Sequence, residues 1–214
     1  MNNIKKLGIF GTSGFSREVA DIAVELGYSV IFIAQDEMEL KAWTFPDEII
    51  LESDVLKQVD ITFAIGIGDN AVREKVAQRF DDKLSFVNLI HPSASFGRGQ
   101  LQIIEAKKGV VVCSGVRFTN NILVGNFTIF NLNATLGHDV IVEDYVNVAP
   151  GANISGNVHL GVRSWVGSGA VINQGTMGGK IIIGEDTVIG SGSMVTKHCN
   201  PKSIYFGIPA RKIK

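Results

Sequence analysis

The chain has 214 residues, is 45% hydrophobic, and sets 20 Lys and Arg against 21 Asp and Glu, a formal net charge of −1. That length holds one large or two small domains, and the scattered basic residues leave no footprint for nucleic acid. No apolar run approaches the roughly 18 residues of a membrane span, no signal peptide precedes the first strand, and Cys113 and Cys199 form no CxxC or His/Cys cluster, so reduced thiols, a cytoplasmic location and no metal site are expected.

In chain order, Lys6–Phe10 predicts a buried strand, residues 11–14 a turn, and Arg17–Leu26 a helix with Val19, Ile22, Ala23 and Leu26 at helical spacing. Gly27 suits the position just past the helix C-cap. Tyr28–Ala34, Asp60–Ile65 and Phe86–Ile90 predict further strands, and Ala71–Phe80 a second helix after Gly66–Asn70. Such alternation implies a parallel, doubly wound, Rossmann-like sheet whose ligand edge lies at the strand C-termini. Gly11, Thr12, Ser13 and Gly14 stand at that edge. They lack the full G-x-G-x-x-G spacing, which argues against a dinucleotide. Two readings stay open for them: a tight strand-to-helix turn, or a cradle of backbone N–H groups for a phosphate. Asp36 after the second strand suits a ribose hydroxyl, and Gly66, following Ile65, suits close approach of a base. His91-Pro92-Ser93 reads as a hinge, dividing the chain into an α/β domain at 1–90 and a second domain at 91–214 with a C-terminal tail.

The second domain is marked by period six. Val, Ile, Leu or Phe occupies every sixth position: Val112, Phe118, Val124, Phe130, Leu136, Val142, Val148, Ile154, Leu160, Val166 and Ile172. Neither a helix nor a flat strand has that period; a stacked β-coil does, each six residues making one short side and one corner. The positions two before each of these from Phe118 on, such as Val116, Thr128, Ala134 and Ser164, are small or β-branched, as a narrow prism interior requires. Glycine follows the inward residue at Gly125, Gly137, Gly161 and Gly167, where corners with positive φ are expected. The period slips once between Ile172 and Ile183, so residues 174–180 are expected to form a loop pushed out of the coil.

Of the four histidines, His138 stands at a corner beside Asp139, a carboxylate able to orient the ring for general-base work. A surface histidine on a turn is the plain alternative. His159 and His198 are expected to be solvated, and Trp165, preceding an inward position, to point outward.

The residues 10–14 (Phe-Gly-Thr-Ser-Gly), 63–66 with Asn70, 91–94 (His-Pro-Ser-Ala), 137–139 (Gly-His-Asp) and 206–211 (Phe-Gly-Ile-Pro-Ala-Arg), in that order, resemble the hexapeptide-repeat acyltransferases. Within these they are similar to the sialic acid O-acetyltransferase type subfamily, which includes the UDP-4-amino-sugar N-acetyltransferase of the bacillosamine pathway and GDP-perosamine N-acetyltransferase. The resemblance implies a left-handed parallel β-helix, a homotrimer, acetyl-CoA in the groove between neighbouring coils, and a nucleotide-sugar on the N-terminal domain. It implies His138 as general base with Asp139 raising its basicity, and CoA contacts at Asn147, Gly156, Ser168, Gly169, Ser191 and Gly192. Asn147 stands where many relatives carry a second histidine near acetyl-CoA, and Phe15 where relatives often have histidine. The nucleotide-sugar contacts implied are Gly11, Thr12, Ser13, Gly14, Phe15, Asp36, Ile65 and Gly66. The expected activity is transfer of acetyl from acetyl-CoA to a nucleotide-linked amino sugar, with UDP-4-amino-4,6-dideoxy-N-acetylglucosamine as first candidate. A GDP-perosamine-type substrate, O-acetylation of a sugar such as sialic acid, and a non-catalytic trimeric nucleotide-binding scaffold are the alternatives.

Overall fold

A computed structural model describes residues 5–176 and 178–214. The N-terminal part contains β1 (Lys5–Phe10), α1 (Gly14–Glu25), β2 (Tyr28–Ala34), α2 (Glu37–Ala42), β3 (Ile49–Leu51), a 3₁₀ turn (Glu52–Lys57), β4 (Ile61–Ile65) and α3 (Asn70–Phe80). The strands are parallel in the order β3-β2-β1-β4. Chain direction across the sheet therefore reverses between β1 and β4, which is where such sheets open a ligand crevice. Gly27, at φ +84°, ends α1 as expected. α2 and β3 leave no mark in the sequence, because neither buries a complete residue and so neither carries a periodic pattern.

The expected strand at Phe86–Ile90 is two different things. Phe86 makes only a single bridge to Phe63 at the edge of the first sheet, while Leu89–Ile90 pairs with Val111–Val112 as the first rung of the coil. Continuous hydrophobicity hid the division, since both halves pack inward against different cores.

The coil is a left-handed parallel β-helix with three faces. The first face runs from Leu89–Ile90 through Val111–Val112, Ile129–Phe130, Asn147–Val148, Trp165–Val166 and Val188–Ile189 to a closing hairpin, Ile204–Gly207 with Ala210–Lys212. The second contains Thr135–Leu136, Asn153–Ile154, Val171–Ile172 and Met194–Val195; the third contains Leu123–Val124, Ile141–Val142, Val158–Leu160 and Ile181–Ile183. Every inward residue of the period-six series is 3% exposed or less, and so is every residue two before one of them from Val116 on. A stripe of that regularity is the whole core of a prism too narrow for anything else. A helix at Gln100–Glu105 plugs the open end, where Gln100 satisfies both the N–H and the C=O of Ile122 at 2.9 and 2.7 Å. Capping of this kind keeps an exposed rung from pairing with another chain.

Positive φ does not fall on the glycines that follow the inward residues. It falls two residues further round the corner, three after the inward residue, at Gly115, Asn121, Phe127, Asn133, Asp139, Tyr145, Gly151, Asn157, Arg163, Gly169, Asp186 and Gly192. The glycines after the inward residue are required by close approach instead. A Cβ on Gly125, Gly137 or Gly167 would sit 2.5–2.6 Å from backbone atoms of the next coil.

Candidate active site

Strands paired across one face show how far apart residues must be to share a column. Thr135 lies against Asn153, eighteen residues on, and Val171 against Met194, twenty-three on, because the later coil carries the extruded loop at 174–180. That loop closes on itself through a bridge between Thr176 and Gly179. His138 and Gly156 are therefore stacked at one corner, between the second and third faces. Ser168-Gly169 and Ser191-Gly192 are stacked at a different corner, between the first and second faces. The three turns expected to bind acetyl-CoA do not form a single column in one chain, since twelve residues from Gly156 to Ser168 carry the coil past two sides.

At the His138 corner, Nδ1 lies 2.6 Å from Asp139 Oδ2. A carboxylate only accepts, so Nδ1 carries a proton, and in the neutral ring the lone pair is then on Nε2. The bond to His138, with a second from Asn121, holds the Asp139 carboxyl below the usual carboxylate range. Gly156 lies under the ring: a Cβ there would stand 2.5 Å from Nε2. The side chains of His138 and Asp139 are 50% and 43% exposed, so the lone pair faces an accessible surface. Asn121, Asp139 and Asn157 all occupy the left-handed corner position, which Asn and Asp tolerate better than other side chains. Lys180, from the base of the extruded loop, reaches into this column, touching the Asp139 carbonyl and Asn157 Oδ1. Neither Lys180 nor Asn121 stood out in the sequence; a search at a spacing of eighteen from Asp139 would have found Asn121.

The other histidines are engaged otherwise. His159 is partly exposed, and its Nε2 lies 2.8 Å from Glu143 Oε1, because the register of the third face sets its strand beside Ile141–Val142, which Glu143 follows; the other Glu143 oxygen takes the Val162 N–H. His198 is exposed and accepts the Ile182 N–H through Nδ1. Trp165 is 47% exposed and points outward, as its place before an inward residue implied.

At the N-terminal sheet, the crevice beside β1 and β4 holds a cavity of about 160 Å³ bordered by Gly11, Thr12 and Ser13 on one side and Ile67 and Val72 on the other. Ser13 begins α1 without any side-chain cap, leaving the first-turn N–H groups free for an acceptor such as phosphate. Gly11 takes φ +113° and lies against Gly66. The remaining residues expected to touch a ligand are placed differently. Gly14 is the first residue of α1, and Phe15 is half-buried against the core. Asp36 spends Oδ1 on the N–H groups of Met38 and Glu39, capping α2, and does not border the cavity. The Ile65 side chain is in the core. Gly66 is glycine for packing, since a Cβ would meet Ser16 at 2.6 Å.

A second cavity, about 430 Å³, opens where the N-terminal domain meets the first face of the coil; Gly68, Asp69, Asn70, Asn147, Trp165 and Val188 line it. Asn147 is 7% exposed and gives its amide to Gly68 O at 3.0 Å. It lies half a coil from His138, on the first face, so within one chain the two are not neighbours.

Residues 6–80 match the profile of the PglD N-terminal domain family. Over 188 residues the chain is 28% identical to GDP-perosamine N-acetyltransferase of Escherichia coli O157:H7, covering 83% of this chain and 82% of that protein. Among solved structures it is similar to WeeI from Acinetobacter baumannii AYE, with 27% identity, TM-score 0.87, and coverage of 97% and 99%. The fold is also that of PerB from Caulobacter crescentus in complex with CoA and GDP-perosamine, at 24% identity, TM-score 0.85 and 99% coverage of each chain. A PglD-type sheet domain, a three-faced coil of period six and a corner His-Asp pair thus occur together along one chain, an arrangement similar to that of these sugar acetyltransferases.

Proposed function

We propose that the chain is a cytoplasmic, homotrimeric enzyme that moves an acetyl group from acetyl-CoA to the amine of a nucleotide-linked amino sugar. The observation that carries this reading is the His138 ring, held through Nδ1 by Asp139 at an accessible corner, an arrangement that leaves Nε2 free to accept a proton whenever the ring is neutral. The acyl group comes as a thioester, which needs no enzyme nucleophile but does need a neutral amine. His138 Nε2 accepts a proton from that amine as it attacks, and the ionised Asp139 carboxylate stabilises the charge that the ring gains. The backbone N–H of the Gly156 turn is the candidate donor to the developing oxyanion.

Acetyl-CoA is assigned to the groove between two coils. In one chain the Gly156 corner and the Ser168 and Ser191 corners lie on separate columns, so only a neighbouring chain can bring the two columns to one groove. Ser168-Gly169 and Ser191-Gly192 are exposed, and nothing lies within 4 Å of where a Cβ on Gly169 or Gly192 would stand, which leaves room for a pantetheine arm. Exposed Leu123 and Ile182 on the third face, 54% and 45% accessible, are apolar surface that a trimer would cover. The nucleotide is assigned to the Gly11–Ser13 crevice, its phosphates at the uncapped start of α1.

The first candidate acceptor is UDP-4-amino-4,6-dideoxy-N-acetylglucosamine. GDP-perosamine is the second, favoured by the similarity to the E. coli enzyme that takes its name from that sugar. The test is a thiol-release assay with acetyl-CoA across UDP-, GDP- and dTDP-linked 4-amino sugars, with sialic acid as an O-acetylation control. CoA release with sialic acid alone would refute the reading.

A further inference from the structure

The three corner columns differ in what they place at positive φ. The His138 column uses Asn121, Asp139 and Asn157, and the column leading from the first to the second face uses only glycine and asparagine. The third column, leading back to the first face, holds Gly109 and Asp186 but also three bulky residues, Phe127, Tyr145 and Arg163, at +52°, +60° and +55°. Bulky side chains in the left-handed region are strained, and such strain persists where surrounding structure over-determines it. This is the column that the N-terminal domain covers. Phe127 packs edge-on against Phe86 at 5.3 Å and stacks on Tyr145, and Arg163 joins Glu74 of α3 to Asp186.

Arg73 of α3 lies at the centre of the contact and is 1% exposed. Its Nε donates to Phe127 O at 2.8 Å, and Nη2 to Tyr145 O at 2.6 Å, both carbonyls of the strained column. The rest of the guanidinium turns the other way: Nη1 donates to Ile67 O and Gly68 O at 3.0 and 3.1 Å, and Nη2 also to Asn70 Oδ1 at 2.8 Å. Every partner is a neutral oxygen, and burial draws the guanidinium pKa down to about 9. A buried charge with no carboxylate in hydrogen-bond contact, Asp69 acting on it only through space, is a costly way to hold two domains together, and apolar side chains would do so more cheaply. What this arginine does that apolar packing cannot is to fix individual carbonyl groups. It fixes the Phe127 and Tyr145 carbonyls of the coil to three oxygens within residues 67–70, which form the wall between the two cavities: Ile67 faces the Gly11 crevice, and Gly68 to Asn70 face the cavity over the coil.

We infer that Arg73 is a positioning residue for the proposed transfer, setting the wall at residues 67–70 so that a sugar joined to a nucleotide in the first cavity presents its amine over the coil. The inference rests on the functional reading above. It is tested with Arg73→Lys and Arg73→Gln, against Glu74→Gln, which cuts a domain contact without touching the wall. Thermal melting reports folding, calorimetry with UDP and GDP reports the nucleotide crevice, and steady-state kinetics separates the two substrates. Arg73→Lys is expected to bind the nucleoside diphosphate and to show a KM for acetyl-CoA within threefold of wild type, while kcat/KM for the nucleotide-sugar falls at least tenfold. Glu74→Gln is expected to melt lower with kcat/KM unchanged. Equal kcat/KM in Arg73→Lys and Glu74→Gln, or failure of both Arg73 variants to fold, would overturn the inference, because a purely structural arginine predicts either. A wild type that binds the diphosphate but acetylates no amino sugar would refute the functional reading itself, and the positioning role falls with it.

Discussion

Gly156→Ala separates the placement of the His138 ring from the stability of the coil. Gly156 is not at positive φ, so alanine costs nothing in backbone conformation. The added Cβ would stand 2.5 Å from Nε2, 2.7 Å from Cε1 and 2.8 Å from Cδ2, whereas ordinary contact begins at 3.4 Å. The ring must retreat by about 0.9 Å, the difference between 3.4 and 2.5 Å. It can do so, because the side chain is half exposed and only the 2.6 Å bond to Asp139 restrains it. A displacement of about 1 Å at a catalytic group costs on the order of 10²-fold in rate, or about 2.7 kcal/mol of barrier. We expect kcat in the thiol-release assay to fall by about 10²-fold and the melting temperature to move little. The backbone N–H of residue 156 is retained, so an oxyanion contact there is not what the variant removes. Gly27→Ala is the converse control. Nothing lies within 4 Å of a Cβ there, but φ is +84°, so strain of about 1–2 kcal/mol should lower the melting temperature by a few degrees and leave kcat alone. Gly156→Ala with kcat within threefold of wild type would refute the assignment of His138 as a base that must be held in place.

His138→Ala should lower kcat by roughly 10²–10⁴-fold with both KM values nearly unchanged, and His159→Ala, whose ring serves Glu143, should stay near wild type; a dead His159→Ala beside an active His138→Ala would reverse the assignment. Asp139→Asn should cause a smaller loss in the same assay, since asparagine accepts the left-handed φ of +60° and its one acceptor oxygen can still take the Nδ1 proton, while the charge and the bond from Asn121 are lost. Sedimentation equilibrium should give three chain masses, and a monomer at micromolar concentration would leave the acetyl-CoA groove without its second wall. Burial pushes the Cys113 and Cys199 thiols up to about 12 from an ordinary 9.0. A folded pKa above the unfolded one stabilises fully below 9.0 and is lost as pH rises toward about 12, so alkaline titration should destabilise the fold through that window. At pH 8 neither thiol should react with a thiol reagent until denaturant is added.

The period-six core and the alternating strands and helices of the first domain are legible in the sequence because both are one-dimensional: a repeating inward side chain and a switch of period need no knowledge of what lies opposite. His138-Asp139 is legible for the same reason, being two adjacent residues at a corner that the period itself locates. Only the tertiary structure decides which corners share a column, because that depends on eighteen- and twenty-three-residue coils stacking in register. It alone turns Asp36 into a helix cap, places Ile65 in the core, and divides Phe86 from Leu89. Arg73 is the clearest instance. In the sequence it is one charged residue in a helix, yet its partners Phe127 and Tyr145 stand 54 and 72 residues away. Long-range contacts of that kind arise from packing one folded surface against another, and no local pattern encodes the pairing.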